Sequence, residues 1–179
     1  MTTSPKKTLR VLGFMTGTSL DAVDMAVIET DGHDILSFGP AGEMKLDGET
    51  RAIIEDAIDD AFDWERDEEE PDSFEDARMA VADAHLAAAL GFMAVNGVKS
   101  SALDLVGVHG QTVLHEAPTP DAPGRTVQLI DAVSVAEGLS VPVAYDFRSA
   151  DVDIWSLFYK GRFGKAANGN LCGQGGATR

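Results

Sequence analysis

The chain has 179 residues, 44% of them apolar, and a formal net charge of −16 at pH 7, with a mean hydropathy of −0.05. That length suits one large or two small domains with a buried core, and the acidity argues against nonspecific attraction to nucleic acid or to anionic membranes. Residues 1–10 carry Lys6 and Lys7 but no apolar run of signal-peptide length, no later stretch approaches the uninterrupted apolar length of a transmembrane helix, and the single cysteine, Cys172, can form no internal disulfide; a cytoplasmic location is expected.

Residues 10–15 and 22–30 read as consecutive strands, Asp31-Gly32 marks a turn, and residues 35–38 read as a third strand, an antiparallel start. Residues 49–62 place Ile53, Ile54, Ala57, Ile58 and Ala61 on one helical stripe. Residues 73–95 repeat the pattern through Met79, Ala80, Ala84, Ala87, Leu90 and Phe92, with Ser73 as the expected cap. The acidic run 67–70 between them reads as a solvated loop, because no glycine-punctuated calcium-loop spacing accompanies it. Residues 103–108 and 126–130 then read as strands, 131–138 as a helix and 141–145 as a strand. An antiparallel start followed by β-α-β units predicts an α/β fold, a mixed sheet flanked by helices.

The segment GFMTGTSLD, residues 13–21, joins two of these strands through groups suited to phosphate. Gly17 allows a tight turn, Thr18 and Ser19 offer hydroxyl and N–H donors, and Asp21 can hold a divalent cation directly or through water, all parts that phosphoryl transfer requires. An ordinary hairpin turn accounts for the same residues. A second constellation follows in VGVHGQTVLHE (106–116), TVQLID (126–131) and VAYDFR (143–148), where strand ends deliver polar groups. No Walker-type Gly-Lys-Ser/Thr loop, no Gly-x-Ser-x-Gly elbow and no Cys-x-x-Cys or His-Glu-x-x-His metal spacing is present.

With GTSLD, HGQT, VQLID and DFR in this order, residues 10–153 closely resemble the anhydro-N-acetylmuramic acid kinases, bacterial cell-wall recycling enzymes. The resemblance implies the N-terminal domain of the sugar kinase, actin and heat-shock ATPase (ribonuclease H-like) fold, with ATP and Mg²⁺ as cofactors. It assigns Gly17, Thr18, Ser19, Leu20, Asp21, Ala22, Val23 and Asp24 to the ATP-contacting segment, with Asp21 at the metal, and His109, Gln111, Asp131 and Arg148 to the sugar. Other roles stay open: Asp24 as a solvent-facing strand carboxylate, His109 as a structural residue, Asp131 as a helix cap, and Arg148 as an ion-pair partner of Asp146 or Asp151. His115 reads as a loop residue. The family usually has glycine where this chain has Ala22 and Ile130; the first change suits a strand, whereas Ile130 puts a branched side chain where backbone would approach the sugar.

The implied reaction transfers the γ-phosphate of ATP to the 6-oxygen of 1,6-anhydro-N-acetylmuramic acid while water opens the anhydro bond. Its amino-sugar substrate and a homodimer are the expected partners, with neither nucleic acid nor membrane. Beyond Asp153 the chain has no acidic residue and is rich in glycine, so residues 154–179 read as a divergent, disordered tail of the kind a frameshift leaves, after a domain at 10–153 and a flexible segment at 1–9. The family's catalytic aspartate lies in a DTGPGN motif that this sequence lacks. No catalytic residue is therefore assigned, and the chain alone is expected to be inactive. The alternatives are a noncatalytic binding module for a muropeptide sugar and an inert gene fragment.

Overall fold

The computed structural model describes residues 7–119 and 121–152; the expectations for residues 1–6 and for the tail beyond Asp153, Cys172 included, lie outside them. Alternating apolar residues build β1 (Leu9–Thr16) and β2 (Ala22–Thr30), and β3 (Ile35–Lys45) completes an antiparallel run. Two helices follow, α1 (Gly48–Asp63) and α2 (Ser73–Asn96), and then β4 (Leu105–Gly107), β5 (Gln111–Glu116), β6 (Arg125–Leu129), α3 (Ala132–Leu139) and β7 (Val143–Ala144). The main sheet has the order β3-β2-β1-β4-β7, with β4 parallel to β1 and β7 parallel to β4. This is the mixed α/β sheet expected. β5 and β6 pair as a separate two-stranded sheet.

Two compact units emerge. Of the described residues, the first comprises 7–113 and 128–146, the second 114–119, 121–127 and 147–152. In the first, Leu12, Phe14, Val23, Met25 and Val27 point from one face of the sheet into a core completed by Ile54, Val81, Ala88, Ala89, Phe92 and Val135 from the three helices. Burying such side chains stabilises the fold by roughly 1.5–3 kcal/mol for each large one. In the second unit, Arg125 donates to both carboxylate oxygens of Glu116, at 2.8 and 3.1 Å, and Arg148 opens a helical turn by accepting the Val152 N–H at 3.0 Å.

Several expectations need correction. β3 runs to Lys45, well beyond Phe38, because Gly39-Pro40-Ala41-Gly42 stays extended as an edge where a proline is tolerated. The buried stripe of α2 is Phe74, Ala77, Val81, Ala82, His85, Ala88, Ala89, Phe92 and Met93, while Met79 and Leu90 are exposed. In a helix this rich in alanine, the composition leaves the phase of the stripe undecided. Asp72, not Ser73, is the N-cap residue, and the Ser73 hydroxyl donates to Asp60 at 2.5 Å. His115 lies in β5 rather than a loop. Among the described residues, α2 alone is long and apolar enough on average to cross a membrane, though Asp83 and His85 interrupt its apolar run. Its apolarity has a local use, since α2 packs on β2, β3, α1 and α3. The acidic link between α1 and α2 is exposed as expected, with Trp64 edge-on to Phe74 at 5.5 Å.

Candidate functional site

Because β1, β4 and β7 run parallel, their carboxyl ends share one edge of the sheet, the place where side chains and turns can face a ligand. β1 ends there at Thr16 and continues into the turn to β2. The turn is closed by the Leu20 N–H donating to the Gly17 carbonyl at 3.2 Å, and it is clamped from outside. Arg51 of α1 donates to the Leu20 carbonyl at 2.5 Å, and the Leu46 N–H donates to the Asp21 carbonyl at 3.1 Å. Leu20 has φ of 51° in the left-handed region, a strained state for a branched apolar residue, and its buried side chain holds it there.

Thr18, Ser19 and Asp21 are exposed on this turn. The Ser19 hydroxyl donates to Asp21 Oδ1 at 2.6 Å and the Ala22 N–H to the same oxygen at 3.1 Å. The Ser19 hydrogen bond foremost, with help from the backbone and Arg51, holds the Asp21 carboxyl below its ordinary range. Leu20, Ala22 and Val23 have buried side chains, so any contact they make with a ligand would go through their backbone. Asp24 sits in β2 opposite Met15 and Glu43, with its neighbours Val23 and Met25 in the core on the other face.

The next strand end joins this turn directly. His109 Nε2 accepts the Thr16 N–H at 3.4 Å, and the buried Thr16 hydroxyl donates to the Gly110 carbonyl at 3.1 Å. With Nε2 accepting, a neutral His109 carries its proton on Nδ1. Gly110 has φ of 69°, and a Cβ there would stand 2.5 Å from the Leu129 carbonyl oxygen. Only glycine permits this approach, which sets the HGQ segment beside the residues preceding Asp131. Ile130 packs into the core there, and its Cβ would lie 2.9 Å from that same added carbon.

Asp131 caps α3. Its Oδ1 accepts the Val133 and Ser134 N–H groups, both at 3.1 Å, and its Oδ2 accepts the Ser134 hydroxyl at 2.5 Å. The Ser134 hydroxyl above all keeps its carboxyl below the ordinary range. Gln111 is buried, with its Oε1 unpartnered, and both carboxamide atoms of Gln128 are buried without a hydrogen-bond partner. Unsatisfied buried amides of this kind cost about 1–3 kcal/mol each, and ligand groups can repay that. Arg148 is exposed in the second unit.

The edge thus brings together Thr16, the 17–21 turn, His109, Gly110 and the start of α3. Sequence reading missed three contributors. Thr16 and Gln128 stood inside quoted motifs, whereas Arg51 reaches the turn from 31 residues away and left no local signal. Among the described residues no group of three or more His, Cys, Asp or Glu side chains converges as a metal cage. A lone exposed carboxylate such as Asp21 fits Mg²⁺, which keeps most of its waters and is shared with phosphate oxygens.

These features define an α/β protein with a mixed sheet whose carboxyl edge gathers hydroxyl, carboxylate and imidazole groups around a clamped turn. The chain belongs to the anhydro-N-acetylmuramic acid kinase family, whose sequence model matches residues 9–155. A relative named anhydro-N-acetylmuramic acid kinase from Phenylobacterium zucineum is 60% identical over 144 residues, 80% of this chain and 39% of its own length. One of the same name from Caulobacter vibrioides is 58% identical over 146 residues, 82% of this chain and 39% of its own. Another from Nitrobacter winogradskyi is 42% identical over 146 residues, 80% and 38% of the two lengths. The chain therefore spans about two fifths of the relatives it matches.

Proposed function

We propose that the carboxyl edge is the phosphate- and sugar-facing part of an anhydro-N-acetylmuramic acid kinase, acting in the cytoplasm on the amino sugar, with the wider sugar kinase and actin fold and the homodimer that the family resemblance implies. The observation that carries this reading is the pair of hydrogen bonds joining Thr16 to His109 and Gly110, which sets the hydroxyl-rich turn beside the HGQ segment. Thr18, Ser19 and the backbone of the turn would donate to the phosphates of ATP, and Asp21 would hold Mg²⁺ through water. The ion, when bound, neutralises charge on the transferring phosphoryl group. His109, Gln111 and Arg148 would donate to or accept from the sugar, with Arg148 suited to a carboxylate. Asp131 would accept from a sugar hydroxyl while it caps α3. In the reaction the terminal phosphoryl group passes to the 6-oxygen as water adds at the anomeric carbon, giving N-acetylmuramic acid 6-phosphate and ADP. The sequence holds no DTGPGN, so on this reading the activating aspartate must come from residues that the chain does not contain. The family match favours this reading over a separate sugar-sensing module.

The test uses a chimera of residues 1–153 followed by the part of the Phenylobacterium relative that this chain does not match. Asp21→Asn is expected to lower turnover strongly and leave sugar affinity intact, because it removes charge beside the phosphates rather than a sugar contact. His109→Ala and Arg148→Ala are expected to weaken sugar binding, each by about 1–3 kcal/mol. Unchanged sugar affinity in those two variants, with loss of it in Asp21→Asn, would overturn the division of the edge.

A further inference from the structure

Arg51 lies outside every motif of the carboxyl edge, 31 residues from the turn that it grips. Its place follows from the start of α1. Asp47 caps that helix by accepting the Thr50 N–H at 2.8 Å and the Thr50 hydroxyl at 3.0 Å, and the Arg51 N–H closes the first turn on the Asp47 carbonyl at 3.1 Å. Three residues on, Ile54 is buried, so Arg51 sits on the core-facing side of α1 and is itself half-buried.

Two consecutive carbonyls of the turn are tied to this part of the fold. Arg51 holds that of Leu20 at 2.5 Å, and the Leu46 N–H holds that of Asp21 at 3.1 Å. In a planar trans peptide the C=O and the N–H point in opposite directions, so the N–H groups of Asp21 and Ala22 are turned the other way. An anion already lies there. The Ala22 N–H and the Ser19 hydroxyl meet on one oxygen of the exposed Asp21 carboxylate, at 3.1 and 2.6 Å, as they would on a phosphate oxygen. Leu20 makes the bend with φ of 51°, a conformation that a bulky L-residue leaves unless it is held.

We infer that Arg51 is a positioning residue for phosphate: its guanidinium holds the Leu20 carbonyl so that the next peptide keeps its N–H, and not a carbonyl oxygen, toward the phosphates of a nucleotide. Without the clamp the Leu20–Asp21 peptide can flip, and its oxygen would repel the anion that its N–H attracts. Arg51 thus acts through the turn and does not touch the ligand. The inference rests on the reading of the turn as phosphate-facing and adds a residue on which that face depends.

In the ligand-free 179-residue chain, the amide NMR signals of Asp21 and Ala22 are expected to shift in Arg51→Met and to return in Arg51→Lys, whose ammonium still donates to the carbonyl. In the chimera, calorimetry is expected to show binding of β,γ-imido-ATP with Mg²⁺ weakened about tenfold by Arg51→Met, as for one lost hydrogen bond. Arg51→Lys should recover most of that loss, and neither variant should change affinity for 1,6-anhydro-N-acetylmuramic acid. Weaker nucleotide binding with unmoved ligand-free amides would make Arg51 a direct phosphate contact and overturn the inference. Shifted amides with unchanged nucleotide affinity, or equal losses for nucleotide and sugar, would reduce the clamp to a structural one and overturn it too. Asp21→Asn separates the two levels: undiminished turnover in that variant overturns the reading of the turn and this inference with it, whereas a strong loss there beside an unaffected Arg51→Met overturns this inference alone. Where the chimera does not fold, inorganic triphosphate titrated into the 179-residue chain and its variants replaces the nucleotide, with the same tenfold loss expected. Where Arg51→Met does not fold, hydrogen exchange at Asp21 and Ala22 in the unsubstituted protein decides; slower exchange with the phosphate ligand bound supports the inference, and unchanged exchange overturns it.

Discussion

The buried stripe of α2 and the carboxyl edge of the sheet both take polar groups out of water, and they treat them in opposite ways. In α2 the imidazole of His85 is 1% exposed, donates from Nδ1 to the Val81 carbonyl at 2.7 Å and packs its ring 5.3 Å from Phe14. Its polar demand is met within its own helix. At the edge, Gln111 keeps an unpartnered oxygen and Gln128 an unpartnered carboxamide, while Leu20 and Asp146 hold positive φ angles beside the strand ends. Strain and unsatisfied groups cluster at the strand ends, and the core histidine carries neither. A buried titratable side chain is therefore a poor guide to function unless its hydrogen bonding is examined.

The sharpest way to break that contrast is at Gly110. Gly110→Ala would force a Cβ against the Leu129 carbonyl at a backbone angle that L-residues avoid, and it should destabilise the fold by about 3 kcal/mol or more. Urea unfolding measures it; a loss under 1 kcal/mol would mean that the edge relaxes freely.

His85 should dominate a pH effect in the opposite region. Burial, foremost, pulls its pKa down from 6.5 to about 4, so the folded state refuses a proton that the unfolded chain accepts. Stability is then complete above pH 6.5 and falls as pH drops from 6.5 toward 4, by about 2 kcal/mol at pH 5. Unfolding at pH 7.5 and pH 5 tests this, and His85→Leu should flatten that part of the profile. An unchanged slope in the variant would assign the pH dependence to other groups.

A smaller effect separates the two roles left open for Asp131. Asp131→Ala removes the α3 cap and should cost about 1 kcal/mol, whereas Asp131→Asn keeps an accepting oxygen and most of the stability. Equal losses in the two variants, by thermal or urea unfolding, would show that charge rather than capping matters.

The smallest effect has the reverse sign. Gln128→Met removes the two unpartnered buried atoms in a side chain of similar length and should raise stability by up to about 1 kcal/mol. A clear loss would mean that the carboxamide is satisfied in solution and belongs with His85 rather than with the unsatisfied groups of the carboxyl edge.

The strands β1 and β2, helices α1 and α3, the Asp131 cap and the motif residues of the edge were legible in the sequence, since period-2 alternation, a 3.6-residue stripe and capping chemistry are local signals. Family membership was legible for the same reason: its motifs are short and contiguous. The phase of α2 was not, because alanines fit either face of a helix and only packing on the sheet selects Phe74, Val81, His85 and Phe92 as the inner set. The reach of Arg51 to Leu20 and the grip of Thr16 on His109 and Gly110 join residues from separate elements. Local sequence encodes which face a side chain takes and where a helix starts, but strand order and register decide which of those faces meet, and it is there that the tertiary structure made the site.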